Sequence, residues 1–373
     1  MSVLELQSIY LKNFRNYENL ELQIPDGFTV FVGPNGAGKS NLLEAIYYLG
    51  TSSSYRNHSD ESLVFWGADF FLVRGKVRFG SINHTVEVAY NLGERRKIVK
   101  VDGKRSQPKE LAGYLPMVVF SPADILIIQG PPSARRRYLD LVVCQLRPQH
   151  LRDLVLYHDI LVQRNSLLKQ DVASDEALQP WNEQLVEVGA RILERRLEIL
   201  FKLCEGCREI LDQLSGTSEL EVHYLARSFS YPLFTCLGSA DLQQSLRDAL
   251  DASREREERL KSTVVGPHRD DFCFFLKGQN YRYYCSQGEQ RLLLLALKIA
   301  QAQLITTEVK RKPLLLLDDV FSELDDEHRQ KVFLHLVSQN QVLATTTSLT
   351  GSWGFGHSFN FFEVNQGQVF FRR

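Results

Sequence analysis

One glycine-rich stretch limits what this chain can fold into more than any other part of its sequence. Residues 33–40 read GPNGAGKS, which satisfies the pattern G-x-x-x-x-G-K-[ST], and they lie between the apolar segment FTVFV and the helical pattern SNLLEAIYYL. A strand, a glycine-rich turn and a helix in this order make a loop whose backbone N–H groups point at phosphate oxygens, with the helix dipole adding positive potential. The motif therefore predicts an α/β fold that holds a nucleotide at the start of its first helix.

Two side chains of this loop predict further contacts with a nucleotide. Lys39 has the length to reach the outer phosphates, and the hydroxyl group of Ser40 is suited to ligate Mg²⁺. The metal needs a second anchor at the tip of a neighbouring strand, and PLLLLDD supplies four leucines for a buried strand followed by two carboxylates. We expect Asp318 to bind the metal and Asp319 to orient, as general base, the water that attacks the γ-phosphate. An N-cap pair before a helix is the alternative for this dipeptide.

A second helix start of the same kind occurs far along the chain. Residues 286–290 read SQGEQ and run into the apolar helical pattern RLLLLALKIAQAQL, 253 positions after Gly33. Ser286 can cap the free N–H groups of that helix, and Gly288 lets the backbone approach a ligand, so this terminus is a second anion site. One γ-phosphate does not need two helix termini from the same lobe. We therefore expect an ATP-dependent homodimer, with the nucleotide between residues 33–40 of one copy and residues 286–290 of the other.

The length of the chain and the order of its patterns predict two lobes. A single core stops growing near ~250 residues, and this chain has 373. Strand patterns near both ends, including an antiparallel meander over residues 70–103, flank a stretch that is mainly helical from residue 133 to residue 260. We expect an α/β nucleotide-binding head made of residues 1–125 and 262–373, with a helical arm inserted as residues 126–261.

The sequence argues against export, a membrane anchor and a zinc site. No apolar run approaches the ~20 residues of a membrane span, and the N-terminal segment carries acidic Glu5 where a secretory signal has a basic flank. Cys204 and Cys207 are the only close cysteine pair, and no second pair or histidine tract completes a zinc site. We expect a cytoplasmic protein that has free thiols and makes no contact with a membrane.

The formal net charge of −1 hides two basic stretches. Arg135, Arg136 and Arg137 fall in the first turn of a predicted helix, where the helix dipole disfavours cations. Phosphates of a DNA backbone would offset that effect, and so would a nearby carboxylate such as Asp140. The second set lies on a predicted hairpin and is either a DNA contact or a solvated sheet edge: Arg95, Arg96, Lys97, Lys100, Lys104 and Arg105. No pattern reads bases, so we expect contact with the DNA backbone only.

Four motifs in this order resemble the ABC-type ATPase heads of the SMC class. They are the phosphate loop GPNGAGKSN, the signature SQGEQ, the strand LLLLDD and the segment SELD at residues 322–325. Further stretches are similar to the RecF family of bacterial recombination mediators: LKNFRNY (11–17), FSPADILIIQGPPSARRRYLD (120–140), QRNSLLK (163–169) and GPHRDD (266–271). The resemblance spans nearly the whole chain. It implies an ABC-type P-loop ATPase head, with a mixed sheet and an antiparallel subsheet, interrupted by the helical arm.

The resemblance also implies roles for individual residues. It implies that Arg15, whose counterpart in the family lies near the phosphates, binds ATP. It implies the same role for the loop residues Gly33, Pro34, Asn35, Gly36, Ala37, Gly38, Lys39, Ser40 and Asn41. The signature residues that act on the nucleotide of the partner copy are Ser286, Gln287, Gly288, Glu289 and Gln290. Ser322 and Asp325 belong to a loop at the dimer interface.

The function that the resemblance implies is an ATP-dependent DNA clamp. Such a protein is a weak, DNA-stimulated ATPase that dimerises on double-stranded DNA or at its junctions with single strands, and it helps RecO and RecR to load a recombinase. The processes that it serves are recombinational DNA repair, maintenance of replication forks and the SOS response.

Three positions depart from the pattern of ABC-type heads and imply slow hydrolysis, so that ATP acts as a timed switch. Asp319 stands where such heads have a longer glutamate. The glutamine expected after the strand LPMVVF is replaced by Ser121-Pro122, with Gln129 as a substitute. Thr347 stands where transporters have a histidine.

Other functional classes are weighed against this one. The ATP-binding subunit of an ABC transporter has its phosphate loop and its signature much closer together than this chain has. A DNA tether needs a longer coiled coil than the arm allows. A nuclease-associated ATPase needs a further metal cluster, for which HRDD (268–271) is the only candidate.

Overall fold

The computed structural model describes residues 4–56, 59–111, 114–170, 175–216, 219–226, 230–232, 238–320, 326–337, 341–348 and 359–372. The strands in this part are β1 (Leu4–Phe14), β2 (Tyr17–Gln23), β3 (Phe28–Val32), β4 (Phe70–Phe79), β5 (Ile82–Asn91), β6 (Arg96–Val101), β7 (Lys104–Ser106), β8 (Met117–Phe120), β9 (Leu220–Leu225), β10 (Ser230–Pro232), β11 (Asp271–Leu276), β12 (Gln279–Asn280), β13 (Leu314–Asp318), β14 (Val342–Thr346), β15 (Phe359–Asn365) and β16 (Gln368–Arg372). The helices are α1 (Lys39–Thr51), α2 (Leu126–Gln129), α3 (Pro132–Leu146), α4 (Gln149–Leu168), α5 (Asp175–Ser215), α6 (Ser239–Ala252), α7 (Arg254–Leu260), α8 (Tyr281–Tyr284), α9 (Gln287–Val309) and α10 (Asp326–Val337).

By packing, the chain divides into two compact units. The first consists of Met1–Asp124 and Lys298–Arg373, and the second of Ile125–Leu297. The boundary at the C-terminal end of the second unit falls within α9 and not at residue 262. The reason is that β11 pairs with β9 along its whole length and so packs with the second unit. The functional head and arm, over residues 1–125 with 262–373 and over 126–261, stay a prediction.

A mostly parallel sheet forms the centre of the first unit, with strand order β16-β15-β3-β14-β13-β8. Every residue of β3, β8, β13 and β14 is buried. Strands covered on both faces need near-continuous apolar sequences, and FTVFV, MVVF, LLLL and VLA have this character. The predicted buried strand PLLLLDD is therefore confirmed as β13. Parallel pairing brings the carboxyl ends of β3, β14 and β13 to the same edge of the sheet.

The second sheet of the first unit is antiparallel, with strand order β2-β1-β4-β5-β6-β7. It contains the meander that the sequence predicts over residues 70–103, as β4, β5 and β6. Along the strands of this sheet, such as β4, buried apolar residues alternate with more exposed ones. The face that carries the buried residues packs against α1, which is itself buried over most of its length. The helix that follows the phosphate loop is thus enclosed in a shared apolar core, so its position is fixed by packing.

The second unit combines helices with a small sheet, of strand order β10-β9-β11-β12. The expectation of a mainly helical stretch up to residue 260 is wrong for the segment that holds β9 and β10. The cause lies in a period-two pattern, LEVHYL, in which alternate residues of β9 are buried. The helices α4 and α5 are the long elements of this unit, of 20 and 41 residues.

Helix α9 corrects the statement that no apolar run has the length of a membrane span. In the part of the chain that the structure describes, it is long and apolar enough to cross a membrane by length and composition, but most of its apolar stretch is buried inside the protein. Burial of this kind is typical of the core helix of a globular protein.

Buried charges hold the second unit together. The guanidinium of Arg164 donates to Glu257 at 2.6 Å, to Thr263 at 2.7 Å and to Asn182 at 2.8 Å, and all of the ion pair is enclosed. Arg196 makes a similar pair with Asp140 at 2.8 Å and also donates to the carbonyl of Pro267 at 2.7 Å. These pairs fix the positions of α3, α4, α5 and the segment before β11.

Replacement of Glu257 by Ala tests the weight of this network. The change leaves the Arg164 guanidinium buried without its counter-ion, which costs roughly 3–5 kcal/mol of unfolding free energy. Chemical unfolding followed by circular dichroism measures the loss. The neighbouring change Glu258→Ala is the matched control, because Glu258 is exposed and forms an ion pair with Arg254 one helical turn away, at the surface of the protein; we expect it to cost under about 0.5 kcal/mol. Equal effects of the two changes would contradict the prediction.

Candidate functional site

The phosphate loop lies between β3 and α1, as the motif predicts. Its turn depends on two glycines with positive φ, Gly36 at 80° and Gly38 at 112°. Gly33 is required for a different reason: there is no room for a side chain, because a Cβ atom there would lie 2.1 Å from the carbonyl oxygen of Val364. The backbone is held from the side by Tyr17, whose hydroxyl donates to the carbonyl of Gly38 at 2.9 Å. These contacts hold the loop in the shape of a cradle.

Lys39 is the first residue of α1, and its side chain bends back over the loop. Its Nζ atom donates to the carbonyl of Gly33 at 2.6 Å and to the carbonyl of Pro34 at 2.9 Å, and the residue is only 7% exposed. Burial lowers the pKa of Lys39 below its ordinary value, against the opposing effect of the nearby Asp319 and Asp318 carboxylates. A cation is thus held at the centre of the cradle, close to both predicted acidic residues.

Ser40 and Asp318 meet across 278 positions of sequence. The Ser40 hydroxyl donates to Oδ1 of Asp318 at 2.7 Å, and the Thr345 hydroxyl donates to the same oxygen at 2.9 Å. The other carboxylate oxygen accepts from the Tyr55 hydroxyl at 3.1 Å. A serine hydroxyl beside an oriented carboxylate is the kind of oxygen pair that Mg²⁺ prefers, so the residues present fit the predicted metal.

Tyr55 and Thr345 are functional candidates that sequence reasoning missed. Burial, together with the nearby Asp318 carboxylate, holds the pKa of Tyr55 well above its ordinary value, so its hydroxyl keeps the proton that it donates. Thr345 also accepts from the backbone N–H of Asp319 at 2.9 Å. The signal that could have found Thr345 is its position at the end of β14, level with Asp318 in the parallel register.

Asp319, the predicted general base, follows β13 directly. Its backbone has φ of 54°, in the left-handed region that few residues other than glycine adopt. Such backbone conformations cluster at functional sites, where the surrounding structure holds them in place. The Asp319 carboxylate raises the pKa of Lys39 against the effect of burial, and the role of Asp319 as the general base stays a prediction.

Arg15, predicted to bind ATP, forms a buried ion pair in this structure. Its Nε and Nη2 atoms donate to the two oxygens of Glu44 at 3.0 Å each, and its Nη1 atom donates to the carbonyl of Ser62 at 2.8 Å. Glu44 is fully buried on α1. A contact between Arg15 and a phosphate would require this pair to open. Sequence reasoning missed Glu44, although one acidic residue inside the apolar run LLEAIYYL is a signal that a buried cation must lie nearby.

Asn41, the last predicted residue of the loop, connects two segments around it. Its Nδ2 atom donates to Asn16 at 2.8 Å, and its Oδ1 atom accepts from Arg56 at 2.9 Å. Asn16 in turn donates to the carbonyl of Ala37 at 3.2 Å. The residues before β2 and after α1 thus support the cradle from opposite sides.

The predicted signature lies at the start of α9 in the second unit. Ser286 and Glu289 cap the helix reciprocally: the Glu289 carboxylate accepts from the Ser286 N–H at 2.7 Å, and the Ser286 hydroxyl accepts from the Glu289 N–H at 3.3 Å. The N–H group and the hydroxyl group of Ser286 both donate to the Glu289 carboxylate, at 2.7 and 2.8 Å, and so lower the pKa of Glu289. Gln287 and Gly288 are exposed between them. The first turn is therefore an open helix start on the surface of this unit.

Gln290 differs from the rest of the signature because it is 4% exposed. Its Nε2 atom donates to the carbonyl of Cys285 at 3.1 Å, and its Oε1 atom accepts from Gln129 at 2.7 Å. Gln129, the predicted substitute for the missing glutamine, therefore supports the signature helix. Thr347 is exposed just after β14. Ser322 and Asp325, the predicted interface loop, lie outside the described residues.

The predicted DNA-binding arginines on α3 are engaged within the second unit. Arg135 is paired with Asp271 through two bonds of 2.7 and 2.9 Å, and its side chain is 5% exposed. Arg136 donates to the carbonyl of Asp270 at 2.7 Å, and Arg137 is half-buried. The carboxylate that neutralises the positive charge of Arg135 at the start of the helix is thus that of Asp271. Asp140, which the sequence suggests for this role, pairs with Arg196. A phosphate contact of Arg135 would require its ion pair to open.

The predicted basic hairpin is divided by the register of its strands. Lys97 points toward α1, where it donates to the carbonyl of Ser52 and pairs with Asp60 at 2.9 Å. Arg95 lies in the turn before β6 and pairs with Glu61 at 3.3 Å. Arg96 is exposed on the opposite side. Lys97 therefore has a structural role, and the other residues of this group remain candidates for contact with a ligand.

Comparisons with known proteins agree with this architecture. Residues 5–352 match the family described as the RecF/RecN/SMC N terminal domain. The chain is 36% identical over 352 residues to the DNA replication and repair protein RecF of Bacillus cereus, which covers 93% of this chain and 92% of that protein. The RecF of Bacillus thuringiensis matches with the same identity and coverage.

Solved structures give the same result. The recombination mediator protein RecF of the RecFOR pathway, solved with ATP, superposes with a TM-score of 0.92 at 34% identity, over 99% of this chain and 98% of that one. An SMC head domain from Pyrococcus furiosus, at 15% identity, has a TM-score of 0.54 over 99% of this chain and 96% of its own. The second likeness concerns the fold alone. The predicted fold class, an ABC-type ATPase head, is confirmed.

Replacement of Tyr55 by Phe tests the support of Asp318. The change removes one of three donors to the carboxylate and keeps the ring that packs edge-on against Tyr47. Loss of such a partner lowers metal affinity by roughly 10- to 100-fold. Calorimetric titration with ATP in Mg²⁺, repeated in EDTA, isolates the part of binding that depends on the metal. Tyr283→Phe, at an exposed tyrosine of α8, is the control and should change neither titration. A loss of equal size in EDTA would contradict the prediction.

Proposed function

Because this chain belongs to the RecF family, we propose that it is an ATP-dependent DNA-binding protein of DNA replication and repair. The observation that carries the ATP part is the 2.7 Å hydrogen bond between Ser40 and Asp318. It brings together the hydroxyl and the carboxylate that would hold Mg²⁺, at the helix terminus whose N–H groups face phosphates. Mg²⁺ bound there would offset the charge that develops on the phosphates.

The other residues of the cradle have distinct roles in this proposal. Gly33 to Gly38 present backbone N–H groups, and Lys39 supplies a cation that is already enclosed. Asp318 and Ser40 would hold the metal ion, and Asp319 takes the proton of the attacking water. Arg15 acts through Glu44 as a support of α1 and reaches the phosphates only when that ion pair opens.

We infer that two copies share the nucleotide. Ser286 to Glu289 form an exposed helix start whose side chains satisfy each other, which leaves the turn at Gly288 open to a ligand. An anion would be favoured there by the helix dipole. ATP on the cradle of one copy would meet the signature of the other, and symmetry would create two such pockets per dimer.

The proposed ATPase is slow and acts as a switch. Asp319 is one methylene group shorter than glutamate, and Thr347 provides no imidazole after β14. Both features weaken the hold on the attacking water, so the closed dimer would persist between binding and hydrolysis. DNA stimulation follows if DNA favours the closed form, because a ligand shifts an equilibrium toward the state that it binds better.

The proposed setting is recombinational repair in the cytoplasm, together with maintenance of replication forks and induction of the SOS response. The closed dimer would bind double-stranded DNA or its junctions with single strands through the phosphate backbone. RecO and RecR are the proposed partners in loading a recombinase, since the relatives solved with nucleotide belong to the RecFOR pathway. The transporter alternative would need a membrane partner, and this proposal needs none.

The shared pocket predicts complementation between two inactive variants. Lys39→Met removes the cation of the cradle, and Ser286→Arg blocks the signature, so each variant alone should stay monomeric with ATP and Mg²⁺ in gel filtration. An equal mixture should recover up to about one half of the ATPase rate of the unaltered chain, because neither variant pairs with itself, so every dimer is mixed and has one intact pocket of two.

The mixture also separates the alternatives. A pocket made by one chain alone would give no recovery in the mixture. An unaltered chain that remains monomeric at saturating ATP and Mg²⁺ would contradict the dimer itself. A double variant carrying both changes, mixed with either single variant, is the control and should recover nothing.

Replacement of Asp319 by Asn separates hydrolysis from binding. An amide cannot accept the proton of the attacking water, so phosphate release should fall by at least about 100-fold, as for the loss of a general base. ATP-induced dimerisation should persist and decay more slowly. Asp318→Asn gives the contrast, because loss of the proposed metal ligand should abolish the dimer as well. Phosphate release that is unchanged in Asp319→Asn would exclude this residue as the base.

A further inference from the structure

The antiparallel sheet of the first unit has an outer face on which cations from distant segments meet. Side chains alternate between the two faces along each strand, and Val73, Val77, Val88 and Val99 point into the core. The registers therefore place the intervening residues on the outer side. The cations there are Lys12, Arg74, Lys76, Arg78, Arg96, Lys100 and Arg105, and the carboxylates are Glu5, Glu21 and Glu87. We call this surface the cationic face.

The register aligns several of these charges in one row across the sheet. Successive cross-strand partners in this row are Glu21, Tyr10, Arg74, Glu87, Lys100 and Arg105. Lys76 lies two residues along β4 from Arg74 and opposite Ser8 and Thr85, which are uncharged. On the same face, the row next to Arg74 and away from Lys76 contains Lys12, followed by the apolar side chains of Leu72, Ala89 and Ile98. The charges thus form a band and not scattered points.

Ion pairs offset only part of this charge. Arg74 pairs with Glu87 at 2.5 Å, and Arg78 pairs with Glu5 and, at 3.3 Å, with Asp26. Among the described residues, no ion pair within 4.0 Å involves the remaining cations of the face, Lys12, Lys76, Arg96, Lys100 and Arg105. Four of these five are exposed. The face therefore carries a surplus of positive charge that the protein itself does not balance.

We propose that the cationic face binds the phosphate backbone of double-stranded DNA. Four spacings of ~4.8 Å separate β1 from β7, which makes the face ~19 Å across, and cations two residues apart on a strand are ~7 Å apart. A duplex presents one negative charge per ~1.7 Å of its axis, so several phosphates fall within this width. A sheet face lies along a backbone without entering a groove, which agrees with the absence of any base-reading pattern. An acidic protein surface is the competing occupant.

The assignment rests on the proposed function, since it concerns the DNA that the family role requires, and it changes which residues carry the contact. Lys12, Arg74 and Lys76 join Arg96, Lys100 and Arg105, although they come from β1 and β4. Lys97 drops out, because its side chain is committed to the other side of the sheet. Lys104 also drops out, since it alternates with Arg105 along β7.

The salt dependence of DNA binding tests this face. Lys76, Lys100 and Arg105 are replaced together by Gln, which keeps a polar side chain at each position and removes three charges. Each phosphate contact contributes roughly 0.9 to the slope of log affinity against log salt concentration, so the slope should fall by about 2.7. Fluorescence anisotropy of a labelled duplex, measured with ATP and Mg²⁺ across a salt series, gives the slopes. The control replaces Arg247, Arg256 and Arg259, exposed on α6 and α7, by Gln, so its net charge is the same.

The outcomes are distinct. A reduced slope in the face variant with an unchanged slope in the control supports the proposal, provided that both variants still dimerise with ATP in gel filtration. Equal slopes in the face variant and the unaltered chain would overturn the assignment, and this is the result expected of a face that binds an acidic protein. If the face variant fails to dimerise, the single changes Lys76→Gln and Lys100→Gln, each expected to lower the slope by about 0.9, replace it. An unaltered chain that binds no DNA would overturn the proposed function together with this assignment.

Discussion

The parallel register of β3, β14 and β13 is the constraint on which the rest of the site depends. It places Val32 level with Thr346 and Asp318 level with Thr345, so the loop after β3 and the carboxylate at the end of β13 open at the same edge. The 2.7 Å bond between Ser40 and Asp318 is a consequence of this register. Because a slip by one residue moves every side chain of a strand to the other face, it would also turn the Asp318 carboxylate away from Ser40.

Buried ion pairs explain why the family motifs outside the nucleotide cradle contain so many charges. LKNFRNY supplies Arg15 for Glu44 on α1, and QRNSLLK supplies Arg164 for Glu257. GPHRDD lies against Arg196, whose buried guanidinium donates to Asp140 and to the carbonyl of Pro267. A buried pair contributes little net stability but is costly to break, so such pairs specify one arrangement of the segments that they join.

Sequence reasoning located the parts of the site that are local in sequence, and missed those that depend on distant contacts. The phosphate loop, β13 and the cap at Ser286 each follow from a short pattern, and the structure has all three. Glu44, Tyr55 and Thr345 gain their roles only when segments far apart are packed together. The basic hairpin shows the same limit, because only the register separates Arg96, on the open face, from Lys97, which is bonded to Ser52. The strands β9 and β10 were missed because helical patterns surround them.

One hydroxyl group sets the relation between the two acidic residues of the site. Thr345 donates to the Oδ1 atom of Asp318 at 2.9 Å and accepts from the backbone N–H of Asp319 at 2.9 Å, so it fixes the carboxylate of one residue and the backbone of the next. The chain turns directly after this N–H group, where Asp319 has a φ of 54°. A serine hydroxyl could make both bonds, but valine, which has the shape of threonine, could make neither. The departure that sequence reasoning placed at Thr347 is therefore accompanied by a threonine two residues earlier that contacts both Asp318 and Asp319.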